Sequence, residues 1–125
     1  MNKELEIRFI ADNDAKRSKG LMFAKPLEDN EVVFFIFPNS DYLSFWNKNV
    51  SFDLSLAFLD DMGRVVDFCE LKAESEKPMA SSRPARFVIE AKKGAFDKMG
   101  VKLGDMFDFD DNKLKLIPVK SGSKD

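Results

Sequence analysis

The chain has 125 residues, of which 44% are apolar and 34% charged. This length and composition are typical of one globular domain and exclude both a disordered tail and a membrane protein. Twenty basic residues nearly balance 22 acidic ones, so the net charge of −2 offers no field for a phosphate backbone. We therefore expect no nucleic-acid partner and no membrane partner.

Two side chains that often carry chemistry are scarce. The chain has no histidine, which excludes Ser-His and Cys-His catalysis and histidine metal ligands. Its one cysteine, Cys69, cannot form an intrachain disulfide, and without a histidine partner it is expected in the core. We expect no metal and no cofactor, and the pattern favours a non-enzymatic function. The N-terminus lacks an apolar stretch of signal-peptide length, which indicates a cytoplasmic location for the chain as given.

The first half of the chain predicts two strands around a short helix. Residues 4–10 alternate apolar and charged side chains, as in a half-buried strand. Residues 12–14 (Asp-Asn-Asp) offer helix N-caps, and Gly20 offers the end of that helix. Residues 32–37 (VVFFIF) are apolar throughout, which predicts a strand buried on both faces that stops at Pro38.

The clearest pattern lies in residues 50–58, where apolar side chains take every even position. Small or polar residues take the odd positions, so we predict a strand with one core face and one wet face. Residues 60–63 (DDMG) then form a turn, and residues 64–68 return as a hairpin partner.

Beyond this hairpin, residues 72–86 are rich in Ser, Pro and charge and predict one long irregular segment. A strand over 87–91 and a short helix over 94–100 follow. In the hairpin predicted over 107–116, aspartates on one strand face lysines on the other.

The elements together predict a mainly β fold: an antiparallel jelly-roll-like sandwich or barrel of about seven strands with two short helices. No predicted helix is long enough for a βαβ crossover. Residues 1–120 are expected to form a single β domain, and residues 121–125 (SGSKD) a flexible tail.

The candidate site is the segment LSFWNKNV at 43–50, where the apolar phase changes from odd to even positions. This change demands a bulge or turn at 46–49, since Lys48 in an unbroken strand would enter the core unpaired. In one interpretation Trp46 packs a barrel end and Lys48 is solvated. In the other, Trp46 walls a ligand cleft, with Lys48 and Asn49 as polar contacts.

Two further sets of side chains are candidates. Arg83 and Arg86 flank a proline and suit an anion, although salt bridges that hold the loop are an equal explanation. Asp53 is the possible acid of a histidine-free hydrolase, a mechanism that needs a second carboxyl nearby.

The chain resembles the domain of unknown function 192 family, an uncharacterised prokaryotic group, from about residue 5 to residue 109. Members share Arg-Gly-Leu-Met, Trp-x-Lys-Asn, Asp-x-x-Gly, Pro-Ala-Arg-Tyr/Phe-Val and Gly-Leu-Lys-Pro-Gly-Asp motifs. The matching stretches are SKGLMF (18–23), FFIFP (34–38), SFWNKNVSFDLSLAFLDDMGRVV (44–66), RPARFVIE (83–90) and GAFDKMGVKLGD (94–105).

The resemblance implies a mostly β, jelly-roll-like fold. It implies no particular activity, because none is established for the family. Many relatives carry a signal sequence. The chain departs from the family at three places. Lys19 stands for the usual arginine, Asp53 lies two residues beyond the usual acid, and Leu103 replaces the proline of the Gly-Asp turn.

Our leading hypothesis is a binding module for a small anionic or sugar-like ligand, or for a peptide. Its site residues are Trp46, Lys48, Asn49, Arg83 and Arg86. The alternatives are the acid-base hydrolase using Asp53 and a structural or assembly accessory protein with an exposed apolar patch. The partner is thus an unknown small molecule or protein.

Overall fold

The computed structural model describes residues 3–119, which form nine strands and two short helices. Seven strands make one curled sheet that forms a half-barrel, and β3 and β6 make a separate two-stranded sheet. In chain order the elements are β1 (Glu4–Ala11), α1 (Asp14–Lys19), β2 (Glu31–Asp41), β3 (Ser44–Phe45), β4 (Leu54–Leu59), β5 (Val65–Leu71), β6 (Met79–Ala80), β7 (Ala85–Lys92), α2 (Ala95–Met99), β8 (Met106–Asp110) and β9 (Lys113–Ile117).

The strand order of the large sheet is β5-β4-β7-β2-β1-β9-β8. Its edge strands β5 and β8 meet at one end, through a bridge between Arg64 and Met106. The Val65 amide donates to the Asp105 carbonyl at 2.8 Å, and the Phe107 amide donates to the Gly63 carbonyl at 3.0 Å. The curled sheet is therefore joined edge to edge at this end.

The mainly β class with two short helices is confirmed, and neither helix alone is long enough for a crossover, as predicted. One pair of strands is parallel, however, so the prediction of a wholly antiparallel sheet was wrong. Strands β1 and β2 pair in parallel, and residues 12–30 cross from one to the other. A parallel pair needs a connection long enough to return to the same end of the sheet. Here α1 supplies only part of that length, and irregular chain supplies the rest.

The wet face predicted for residues 50–58 was also wrong. The strand begins only at Leu54, and all its residues are buried, including Ser55 and Ala57 on the supposed wet face. The reason is that core clusters lie on both faces of the curled sheet: Ala57 packs in one, and Leu56 and Phe58 pack in the other.

The prediction that Pro38 ends its strand was wrong as well. Strand β2 continues to Asp41, but its pairing with β7 is interrupted between Ile36 and Asp41. Proline lacks the amide hydrogen that a paired strand position needs, and it is tolerated where the ladder is irregular. Residues 32–35 are buried on both faces, as predicted.

The predicted helix ends and hairpins are confirmed. The Asn13 side chain accepts a hydrogen bond from the Lys16 amide at 2.9 Å, and Gly20 follows α1. In the β8–β9 hairpin Asp108 lies opposite Lys115 and Asp110 opposite Lys113. Within the predicted irregular segment, only the two residues of β6 and the first two of β7 are in strands. The tail predicted at 121–125 lies outside the described residues.

We predict that Gly63→Ala lowers the free energy of unfolding by at least about 2 kcal/mol. Gly63 has φ of 83°, and a Cβ there would lie 2.9 Å from the Phe107 carbonyl oxygen, at the junction of the edge strands. Both the strain and the clash oppose alanine. Urea denaturation followed by far-ultraviolet circular dichroism measures the loss.

The matched control for this prediction is Gly94→Ala. Gly94 has φ of 84°, but a Cβ added there would meet no atom within 4 Å. We expect it to cost only the backbone strain, about 1 kcal/mol. Equal losses in the two variants would show that the contact with Phe107 contributes nothing.

Candidate functional site

The segment 46–49 is a turn, as the change of apolar phase predicted. Strand β3 ends at Phe45, and Asn49 has a left-handed φ of 62°. The Val50 amide donates to the Asn47 carbonyl at 3.1 Å, which closes the turn. The turn keeps the Lys48 side chain out of the core, and this side chain is only half-buried.

Asn47 anchors this turn, and its side chain is 1% exposed. Its Nδ2 donates to the Phe52 carbonyl at 2.9 Å and to the Lys72 carbonyl at 3.2 Å. Since both partners are acceptors, the amide orientation is fixed, and the oxygen points the other way. That oxygen, Oδ1, has no hydrogen-bond partner within residues 3–119.

Trp46 and Lys48 lie side by side on the surface of the turn. The indole remains 43% exposed, and Lys48 Nζ lies 5.5 Å from the centroid of the Trp46 ring. This is cation–π geometry, although such contacts contribute only about 0.5–1 kcal/mol at exposed sites.

The turn forms one wall of a cavity of about 460 Å³. Helix α1 and the residues that follow it form a second wall, and β2, β3 and β7 contribute side chains to the remainder. The charged lining residues are Asp14, Arg17, Lys19, Lys48 and Glu90, and the aromatic ones are Phe35, Phe37, Phe45 and Trp46. Its volume is in the range of small-molecule sites.

Glu90 of β7 is the buried acid of this cavity. It lies in register between Val33 of β2 and Leu56 of β4, and it is only 4% exposed. Its Oε1 has no hydrogen-bond partner among the described residues. Burial raises the pKa of the Glu90 carboxyl to about 8, because the charged form loses its hydration. The side chain is therefore mostly protonated at neutral pH.

Arg17 of α1 lines the cavity but is already held in place. Its guanidinium donates to the Ile36 carbonyl at 2.7 Å and to Asp14 Oδ1 at 2.8 Å, and it lies 5.1 Å from the centroid of the Phe37 ring. Arg17 and Asp14 thus neutralise each other, and Arg17 fastens α1 to β2.

The cavity brings together only some of the residues predicted for the site. Trp46 and Lys48 line it, whereas Asn49, Arg83 and Arg86 do not. The Asn49 carbonyl accepts from the Phe23 amide at 2.9 Å. Arg86 Nε donates to the Phe37 carbonyl at 3.1 Å, and Arg83 is exposed. Asn49 thus contacts the segment after α1, and Arg86 contacts strand β2.

Asp53, the possible acid, also lies outside the cavity. Its Oδ1 accepts from the Ala73 amide at 2.8 Å, and its Oδ2 lies 3.7 Å from Lys93 Nζ. These contacts connect the chain before β4 to the chain after β5 and to the chain after β7.

Sequence reasoning missed Glu90, Asn47 and Arg17 as lining residues. A usable signal existed for Glu90, because a carboxylate stands inside the apolar run FVIEA (87–91). A central strand position there predicts burial, and a buried acid is a common feature of functional sites. Arg17 offered no such signal, since its helix reaches the cavity only through the parallel crossover.

Other chemistry is sparse in the described part of the chain. Burial raises the pKa of the Cys69 thiol to about 12, helped by nearby carboxylates, so this thiol is unreactive at neutral pH. Among residues 3–119 no group of three or more His, Cys, Asp or Glu side chains is arranged to hold a metal ion. No helix in the same range is long and apolar enough to cross a membrane.

Comparison with known proteins places this architecture among uncharacterised relatives. The chain is 31% identical to a UPF0127 protein of Thermococcus gammatolerans over 118 residues, which cover 89% of this chain and 72% of the relative. It is 30% identical to a UPF0127 protein of Pyrococcus furiosus over 110 residues, covering 84% and 87%.

Solved structures show the same fold. A candidate transcription regulator from Sinorhizobium meliloti 1021 matches with a TM-score of 0.77 and 25% identity, over 82% of this chain and 79% of that one. A protein of unknown function from Novosphingobium aromaticivorans matches with a TM-score of 0.77 and 28% identity, over 82% and 75%. The family model DUF192, described as an uncharacterized ACR, matches residues 2–109, and the chain therefore belongs to the DUF192 family.

Proposed function

We propose that this protein is a binding module for a small polar ligand, which enters the cavity beside the Trp46–Asn49 turn. One observation carries the proposal: two buried acceptors without partners, Glu90 Oε1 and Asn47 Oδ1, belong to residues that line the same cavity. Most buried polar atoms in proteins are hydrogen-bonded, so such exceptions indicate a function more often than chance.

The energetics support this proposal. An unpartnered buried acceptor lowers the free energy of unfolding by about 1–3 kcal/mol, so two of them destabilise a small protein substantially. A ligand whose hydrogen-bond donors reach these two atoms would satisfy them and recover this cost. The apolar lining around them, including Phe35 and Phe45, strengthens such bonds by excluding water.

The mouth of the cavity supplies the remaining contacts. Trp46 offers a partly exposed aromatic face, and Lys48 offers a cation above that face. Both come from the predicted site, and the proposal adds Glu90 and Asn47 to them. It assigns Asn49 and Arg86 to support of the cavity wall and gives Arg83 no role.

A second candidate function, acid-base hydrolysis, is favoured by the raised pKa of Glu90. A carboxyl that is protonated at neutral pH suits a general acid. In this version the acid is Glu90, because Asp53 lies outside the cavity. Release of nitrophenol from nitrophenyl glycosides, lost in Glu90→Gln, tests it. The cytoplasmic location and the lack of a nucleic-acid partner stay predictions.

We predict that Glu90→Met raises the free energy of unfolding at pH 8 and abolishes ligand binding. Methionine has a similar size and removes the buried polar group, so we expect a gain of about 1–3 kcal/mol. A thermal-shift screen of sugars, sugar acids, sugar phosphates, amino sugars and amino acids measures binding by the wild type, and the same screen on Glu90→Met measures its loss.

Gly63→Ala is the control for this screen. It lowers stability at the junction of the edge strands and leaves the cavity lining unchanged, because Gly63 is not one of the lining residues. We expect it to lower the midpoint of unfolding while the same compounds still bind. A stabilised Glu90→Met that still binds every wild-type ligand would refute the proposed site.

We further predict that the free energy of unfolding falls as the pH rises from 5 to 8.5. Glu90 has a pKa of about 8 in the folded chain against 4.5 as its ordinary value. Its contribution is therefore fully present below pH 4.5 and is lost as the pH rises through 8. At about 1.4 kcal/mol per pKa unit, the loss amounts to a few kcal/mol.

Glu90 dominates the pH profile between pH 5 and 8, because the chain has no histidine and Cys69 keeps its proton in the folded and the unfolded chain below its ordinary pKa of 9.0. Denaturant unfolding at half-unit pH steps measures the profile. Glu90→Gln cannot titrate, and its profile should be flat over this range. A wild-type profile that matches that of Glu90→Gln would contradict the assigned pKa.

A further inference from the structure

We infer that the ligand is a polyhydroxylated anion, a sugar acid or sugar phosphate, with its hydroxyls on Glu90 and Asn47 and its anionic group near Lys19 and Lys48. This inference rests on the proposed function and extends it to a chemical class. It follows from the different character of the inner and outer lining of the same cavity.

The inner lining needs hydrogen-bond donors from a ligand. Asn47 Oδ1 is an acceptor, the protonated Glu90 carboxyl can both accept and donate, and both side chains are at least nine-tenths buried. Hydroxyl groups are neutral donors that can enter such a low-dielectric site without the desolvation cost of a charge. Two acceptors on separate elements favour a ligand with several hydroxyls over one with a single donor.

The outer lining is positive. Lys19 and Lys48 line the cavity, and neither forms an ion pair within residues 3–119. The Arg17–Asp14 pair beside them is neutral. Among the described residues, the lysines in strands of the large sheet, by contrast, all lie within 4 Å of a carboxylate: Lys92, Lys113 and Lys115. Two unpaired ammonium groups at one opening attract an anion and repel an amine.

Trp46 provides a surface on which a sugar ring can lie between the inner and the outer lining of the cavity. Its indole is 43% exposed and lines the cavity next to Lys48. The C–H groups on the apolar face of a sugar pack well against an aromatic ring, while its hydroxyls point away to polar partners. Trp46 is also the single tryptophan of the chain, so its emission reports on binding directly.

The test is a titration of the full chain at pH 6.5 with gluconate, glucose 6-phosphate, glucose, glucosamine and inorganic phosphate. Trp46 emission and calorimetry both follow binding. We expect gluconate or glucose 6-phosphate to bind about tenfold tighter than glucose, which corresponds to one charge-assisted contact. Glucosamine should bind weakest, and the order of the two anions tells a carboxylate ligand from a phosphate ligand.

Variants locate the anion. Lys48→Gln and Lys19→Gln should each weaken the anionic probes several-fold and leave glucose unchanged. Lys93→Gln, a lysine outside the cavity, should change neither. Added salt should weaken gluconate but not glucose, and this comparison needs no variant to fold.

Several outcomes would overturn the inference. If glucosamine binds tightest, or if glucose and gluconate bind equally, the ligand is not an anion. The proposed function, binding of a small polar ligand in the cavity, then still holds. Inorganic phosphate binding as tightly as glucose 6-phosphate excludes a role for the hydroxyls. If none of the five probes binds but an unrelated compound of the thermal-shift screen does, only the inference fails; if nothing binds, the proposed function fails with it.

Discussion

The two hydrogen bonds from the Asn47 side chain hold the cavity wall in place. They connect the turn after β3 to the Phe52 carbonyl before β4 and the Lys72 carbonyl after β5. Without them, the turn that carries Trp46 and Lys48 would be tied to the sheet mainly through backbone contacts. Both donor hydrogens of the amide are used in this role, so its oxygen is left over, and it belongs to a residue of the cavity lining. The same side chain therefore builds the wall and, in the proposed function, also supplies a binding group.

The curled sheet creates the second half of the site. The sheet has core clusters on both faces, so β4 and β7 are buried on both sides. The Glu90 side chain on β7 is therefore almost fully shielded from bulk water. Helix α1 then covers part of this face as the chain crosses from β1 to β2. The parallel crossover thus brings Arg17 and Lys19 towards the residues of the Trp46 turn, which lie far from them in sequence.

Local patterns predicted the local features well. The helix caps at Asn13 and Gly20, the aspartate–lysine register of the last hairpin and the turn at 46–49 each depend on a few neighbouring residues. The failures depend on partners distant in sequence. The odd positions of 50–58 are polar or small, as on a wet face, yet the curl of the sheet buries Ser55 and Ala57.

The same distinction separates the predicted from the missed site residues. Trp46 and Lys48 belong to one short motif. The change of the apolar positions from odd to even within that motif identified them as candidates. Glu90 lines the same cavity only because β7 lies between β4 and β2 in the sheet, an order that no local pattern contains. Arg86 has the right chemistry for an anion, but its strand position directs its guanidinium to the Phe37 carbonyl instead.

The junction of the two edge strands has a consequence for the behaviour of many copies of the molecule. Strands β5 and β8 are the edges of the large sheet, and the backbone groups of an unpaired edge can pair with a strand of another chain. The bridge between Arg64 and Met106 and the hydrogen bonds of the Val65 and Phe107 amides occupy backbone groups at one end of both edges. Those groups are therefore not available to a second copy, and the same contacts that join the curled sheet also protect part of its edges.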